Sequence, residues 1–201
     1  QWGNVQEGSY SPEAMTQLAL FSMVGNTLYE NTSSVSKTLK GNTVNGIFTK
    51  RDADEGIDVL TFSFNNKNME ALEPELLQIH VRVDKPAGTQ FQYRMAQINS
   101  ETNIEQQFFN DFPKAMMIER EGGWRKADAH PTASVRDALN QTGQDTFRVH
   151  REKYGKVTSL KWSGWIEGRT QQASSETSTV SIEASIPSFS VQKYEVRWVK
   201  E

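Results

Sequence analysis

Residues 75–98 read ELLQIHVRV-DKPAG-TQFQYRMAQI, and their alternation decides the fold class. Leu77, Ile79, Val81 and Val83 alternate with Gln78, His80 and Arg82; Phe91, Tyr93 and Met95 alternate with Gln92, Arg94 and Ala96. A period of two marks strands with one apolar and one wet face. Between them, Asp84-Lys85-Pro86-Ala87-Gly88 has turn composition: proline fixes φ and glycine is free to adopt positive φ. Pairing Val83 with Thr89 sets Val81 against Phe91, Ile79 against Tyr93 and Leu77 against Met95, with His80 opposite Gln92. A slip of one residue would turn the apolar side chains outward, so the pattern predicts a hairpin of defined register.

The same pattern recurs on both sides. Residues 44–50 and 57–64 read as a strand pair about an acidic turn, with Leu60, Phe62 and Phe64 on one face. Residues 146–151 and 157–166 read as a hairpin about Tyr154-Gly155, setting Val149 against Leu160 and Phe147 against Trp162. Residues 115–121 and 124–128 flank Gly122-Gly123 in the same way. Val180, Ile182, Ala184 and Ile186 alternate cleanly; after Pro187 the apolar phase shifts, which predicts a bulge near Gln192-Lys193.

Helical signals are fewer. Ser11-Pro12-Glu13 starts a helix over about 12–24, with Met15, Leu18 and Phe21 on one face, Leu20 and Val24 widening it, and Gly25-Asn26 ending it. Thr102-x-x-Glu105 is a capping box before Ile104, Phe108, Phe109 and Phe112, and 131–142 reads as a short helix. Residues 1–10 and 168–178 read as irregular, and 31–42 as a loop or weak edge strand. Strands with one wet face, joined by short turns, are antiparallel. The expected fold is one mainly antiparallel β domain over 1–201: an up-and-down barrel or a two-layer β-sandwich, with an N-terminal helix and two short ones. The helix-first layout and the closing Tyr194-x-x-x-Trp198 strand are similar to lipocalin-like barrels, but that group's Gly-x-Trp opener is missing, since Gly25 is followed by Asn26-Thr27.

A length of 201 residues supports a full core without staples. The absence of cysteine excludes disulfides, thiolate metal sites and cysteine nucleophiles. A net charge of −3 disfavours nucleic acid as a partner, although Arg148, Arg151, Lys153, Lys156 and Lys161 suggest a basic ribbon. No apolar run is long enough to span a bilayer. The chain opens at Gln1 rather than methionine, read as a fragment boundary or a cleaved leader, and an extracytoplasmic home is expected: periplasmic, secreted or lipoprotein-anchored.

The leading functional reading is a non-catalytic binding protein that holds a small apolar or amphipathic molecule inside the sheet, lined by Leu60, Phe62, Phe64, Ile79, Val81, Phe91, Tyr93 and Trp162. An interaction or assembly module with a protein partner is the alternative; there the same residues fill the core and Trp165 makes contacts. Trp162 and Trp165 are three apart, which puts them on opposite faces of a regular strand. A third reading is a carbohydrate-binding or polysaccharide-cleaving cleft on His80, Arg82, Tyr93 and Arg94, with arginine neutralising a uronate and His or Tyr moving the proton. The string Gln78-Ile79-His80 is similar to one in jelly-roll alginate lyases; the other strand motifs of that family are absent. Asp52, Asp54 and Glu55 form an acidic turn that could hold a hard cation, but Gly56 sits one place early for a calcium loop. His80, His130 and His150 lack zinc-ligand spacing, and no motif calls for a cofactor.

Overall fold

The computed structural model of the chain describes residues 5–6, 9–10, 12–29, 41–65, 72–99, 102, 111, 145, 149–157, 160–174 and 177–199. The elements expected over 104–110, 115–128 and 131–142, and the loop at 31–40, lie outside these residues, as do His130, Phe147 and Arg148. In chain order the elements are β1 (Val5–Gln6), β2 (Ser9–Tyr10), α1 (Pro12–Phe21), β3 (Thr27–Leu28), β4 (Thr43–Lys50) and β5 (Ile57–Phe64). There follow β6 (Glu75–Val83), β7 (Gln90–Ile98), α2 (Arg151–Val157), β8 (Ile166–Arg169), β9 (Gln171–Gln172), β10 (Ser178–Ile186) and β11 (Ser190–Trp198). They fall into two compact units, 1–15 with 100–159 and 16–99 with 160–201.

In the first unit, β1 and β2 pair antiparallel, so the opening segment expected to be irregular carries a short strand pair. The hairpin expected about Tyr154-Gly155 is instead the helix α2. The Tyr154 N–H donates to the His150 carbonyl at 3.0 Å, the i to i−4 bond of a helix. Glu152 in its first turn and Lys156 in its last complement the helix dipole. Tyr154 is fully buried, and its hydroxyl donates to Asp111 Oδ2 at 2.9 Å while Lys153 pairs with the same carboxylate at 2.7 Å. Three of the cations read as a strand ribbon, Arg151, Lys153 and Lys156, therefore sit on a helix.

The second unit holds two open antiparallel sheets, β6-β10-β9 and β3-β4-β5-β11-β7-β8. Neither closes into a barrel among the described residues. The strands β6 and β7 form where expected, but they do not pair with each other: β6 pairs with β10, and β7 lies between β11 and β8. Residues 84–89 cross from one sheet to the other, as do 187–189 between β10 and β11. Thr170 pins the first crossing. Its hydroxyl donates to the Pro86 carbonyl at 2.8 Å, and its carbonyl accepts from the N–H of Gly88, which takes φ +86. Ile79, Val81 and Val83 still meet Phe91, but across the core rather than side by side. Alternation specifies which face is buried; it does not say whether the apolar partner is a neighbour in the sheet or an opposite number in the other sheet.

The common core draws Ile57 and Val59 from β5, Ile79, Val81 and Val83 from β6, Phe91 from β7, Val180 to Ile186 from β10, and Tyr194 and Val196 from β11. This reverses the expected face of β5. Leu60 turns to the outer side, where it packs with Ala19 and Met23 of the α1 region, and with Ile47 and Val191. Phe62 is half-buried and Phe64 is 41% exposed on that outer phase. The α1 stripe is correspondingly Met15, Ala19 and Met23, while Leu18, Phe21 and Val24, expected inside, are exposed. No bulge interrupts β11, whose register runs unbroken from Ser190↔Ser63 to Val196↔Ile57. The phase shift is instead the work of Phe189, in the turn at φ 52, and of Gln192, a buried polar residue on the core side.

Candidate functional site

The outer face of the six-stranded sheet carries an unusual concentration of charge and aromatic surface. Along β11 the outward residues are Val191, Lys193, Glu195 and Arg197, because Gln192, Tyr194 and Val196 point to the core. Register sets Glu195 beside Arg94 and Arg197 beside Gln92 on β7. Arg94 donates from Nε and Nη2 to Glu195 Oε2 at 2.8 and 2.6 Å. Arg197 donates from Nε and Nη2 to Gln92 Oε1 at 3.1 and 2.8 Å. Lys193 is almost wholly buried: its ammonium donates to Ser22 Oγ and stands 3.5 Å from Glu195 Oε1.

Two indoles complete the face. The Arg94 guanidinium carbon lies 4.3 Å from the Trp162 ring centre and 4.7 Å from that of Trp165; Arg197 stacks on Trp165 at 3.8 Å. Trp162 and Trp165 thus share one side, contrary to the expectation that they oppose each other. The reason is local: Trp162 makes only an isolated bridge to Ala96, and β8 begins at Ile166. Ser163 breaks the alternation between them, bonding to Met95 through its N–H (2.8 Å) and through its Oγ, which accepts from the Met95 N–H (3.0 Å). Both indoles remain half-exposed. Cation–π stacking of this kind orders the side chains and covers part of each indole, and both rings keep part of their surface exposed.

The other sequence-derived candidates are scattered. His80 and Arg82 lie on the exposed face of β6, where His80 Nδ1 meets Ser181 Oγ at 3.0 Å. Tyr93 leans on the core, its phenol pKa raised by burial, and Arg94 belongs to the outer face of the other sheet. The expected cleft of His80, Arg82, Tyr93 and Arg94 is therefore divided between two sheets, because β6 and β7 do not pair. Of the interior ligand set, Ile79, Val81 and Phe91 pack into the common core, with Tyr93 against it. Phe62, Phe64 and Trp162 lie outside that core cluster. The acids of the 52–55 turn are divided among separate partners. Asp54 accepts from Arg51 Nε and from the Gly56 N–H, both at 2.9 Å; Asp52 accepts from Thr27; Glu55 pairs with Lys50 and Lys85. The hydrogen bond from Arg51 holds the Asp54 carboxyl below its usual range. Among the described residues no cluster of metal-ligating side chains forms.

Lys193, Glu195 and Arg197 had no assigned role in the sequence reading. Their signal was present as charge of period two, Lys193-Glu195-Arg197, masked by the buried Gln192 in the opposite phase.

No protein-family model matches the chain. It is 26% identical over 197 residues, 98% of its length, to an α-1,4-L-rhamnosidase of Formosa agariphila, and spans 28% of that protein. Among solved structures, a GH39 enzyme of Xanthomonas axonopodis pv. citri is similar over 77% of the chain and 26% of its own length, with a TM-score of 0.44 and 9% identity. A monomeric β-xylosidase of Caulobacter crescentus is similar over the same shares, with a TM-score of 0.41 and 10% identity.

Proposed function

We propose that the chain is a saccharide-binding unit of β-sandwich type from a carbohydrate-cleaving enzyme, and that the glycan lies against Trp162 and Trp165. One observation carries this reading: the likeness to a rhamnosidase runs over 98% of the chain yet covers only 28% of that enzyme. A stretch of that proportion fits one unit of a larger carbohydrate-active protein, with the bond-breaking machinery elsewhere in it. The face adds a chemical ground. Two half-exposed indoles, fixed by stacked guanidinium groups, offer flat apolar surface beside ordered donors, which suits a ring with C–H faces and hydroxyl edges. In this reading His80, Arg82 and Tyr93 have no catalytic part. The expected extracytoplasmic location, where polysaccharides are met, belongs to the same proposal; among the described residues no helix is long and apolar enough to cross a membrane.

The test is affinity electrophoresis through gels containing xylan, a rhamnose-bearing polysaccharide or none. The chain should be retarded by at least one polymer, and Trp165→Ala should migrate freely in it. Unchanged migration in every polymer would sink the reading. A second reading, an interaction module, is favoured by the exposure of Leu18, Phe21, Val24 and Leu28. Light scattering that gave a concentration-dependent mass, returned to 22.8 kDa by Phe21→Ser, would support it.

A further inference from the structure

We infer that the saccharide held on this face carries an oxyanion, a carboxylate or a sulfate ester, and that Arg197 receives it. The inference rests on the saccharide reading and deepens it. Arg94 is neutralised by its two bonds to Glu195, and Lys193 is buried against Ser22 and Glu195. Arg197 differs from both. It is exposed, it lies on Trp165 at 3.8 Å, and it is held by Gln92, whose amide oxygen is neutral. Among the described residues no carboxylate stands within ion-pair distance of it.

The geometry of those contacts leaves a specific edge open. A guanidinium has five N–H donors in a planar fork. Gln92 takes the Nε hydrogen and one on Nη2. The remaining hydrogens, on Nη1 and the second position of Nη2, form the parallel pair that binds a carboxylate or sulfate with two bonds. Stacking on the indole removes much of the rotamer freedom that an exposed arginine loses on binding, so the receptor is pre-organised. Arg82 is also exposed, on β6, and among the described residues has no such clamp, so it serves as the contrast. Glu167, opposite Gln92 on β8, adds negative charge on the same face of the sheet. The net charge of −3 opposes general attraction to polyanions, so binding of one would be local.

The experiment is calorimetric titration of the chain with polygalacturonate, with the same polymer after reduction of its carboxyl groups, and with a sulfated galactan. One or both anionic polymers should bind at least about tenfold more tightly than the reduced one, the worth of one charged hydrogen-bonded contact; which of them does so names the carboxylate or the sulfate as the ligand group. Arg197→Gln should abolish that preference, Arg197→Lys should restore part of it, and Arg82→Gln should change nothing. Heat-denaturation profiles confirm that each variant is folded. Equal binding of the acidic and reduced polymers would overturn the anion inference and leave the saccharide reading standing. An equal loss in Arg82→Gln would also overturn it, since diffuse charge would then explain the preference. Binding to none of these, nor to any neutral glycan, would remove both.

Discussion

Arg51 and Asp58 form a nearly buried ion pair, Nη1 to Oδ1 at 2.6 Å, with the Asp58 side chain only 2% exposed. The same guanidinium bonds Asp54 and donates from Nη2 to the Val196 carbonyl at 2.7 Å, tying the β4–β5 turn to β11. Burial raises the Asp58 pKa, and Arg51 opposes the rise. Arg51→Met leaves a buried carboxylate without its cation and should cost about 3–5 kcal/mol at pH 7. The loss should shrink on acidification. A carboxyl whose pKa is raised in the fold contributes most stability below its unfolded value near 4 and loses it as pH rises, and removing Arg51 steepens that fall. Asp54 acts in the same sense: its lowered pKa gives the wild type stability above pH ~4 that the variant lacks at any pH. Urea melts of both proteins at pH 7 and pH 4 check this; a penalty that grows with acid contradicts it.

Gly168 on β8 lies over the Phe91 ring so closely that an added Cβ would stand 2.4 Å from Cζ and 2.7 Å from Cε2. Phe91 is buried in the common core and cannot swing into solvent. Gly168→Ala should therefore cost about 1–3 kcal/mol by overpacking, and Phe91→Leu in the same chain should recover part of it. The midpoint of chemical denaturation reports both. Additive losses in the double variant would show that the ring and the strand do not press on each other.

Most strand positions were legible because each buried strand face leaves a period-two trace, and β4, β5, β6, β7 and β10 all lie where their alternation puts them. Partnership was not legible. The alternation of Ile79 and Val81 is satisfied as well by Phe91 across the core as by Phe91 alongside, and the chain takes the first arrangement by crossing between the sheets at 84–89, where Thr170 bonds Pro86. On β5 both phases are apolar, Ile57 and Val59 against Leu60, Phe62 and Phe64, so size suggested the wrong inner face. The Trp162–Trp165 face was hidden because a spacing of three implies opposite sides until Ser163 breaks the strand. Nothing in a local pattern could announce that Arg197, far along the chain, stacks on Trp165.

Truncation separates the two faces of the six-stranded sheet. Phe91→Ala removes a ring that is 2% exposed and should cost about 3–5 kcal/mol. Phe64→Ala, on the outer phase and 41% exposed, should cost less than about 1 kcal/mol. Thermal or urea unfolding of both variants gives the contrast. Comparable losses would contradict the outward placement of Phe64.

A polar chain of contacts runs through the core at Tyr194, and its loss should be visible in alkali. The Tyr194 hydroxyl donates to Gln192 Oε1 at 2.6 Å, and Gln192 Nε2 donates to Gln97 Oε1 at 2.7 Å and to the Ser185 carbonyl at 2.8 Å, linking β11 to β7 and β10. Burial pushes the Tyr194 phenol well above the usual tyrosine range. The sign follows from linkage: a phenol whose pKa is raised by folding gives stability that is complete below its unfolded pKa near 10 and is lost as pH rises through the folded value. Gln192→Leu leaves the phenol and the Ser185 carbonyl without their partner and should cost about 1–3 kcal/mol for each group left buried and unpaired. Tyr194→Phe should cost less, because it removes the donor and its titration together, and it should flatten the fall in stability between pH 9 and 11. Urea melts across that range, followed alongside tyrosinate absorbance, make the measurement. A wild type that ionises all its tyrosines near pH 10 while still folded would contradict the buried bond between Tyr194 and Gln192.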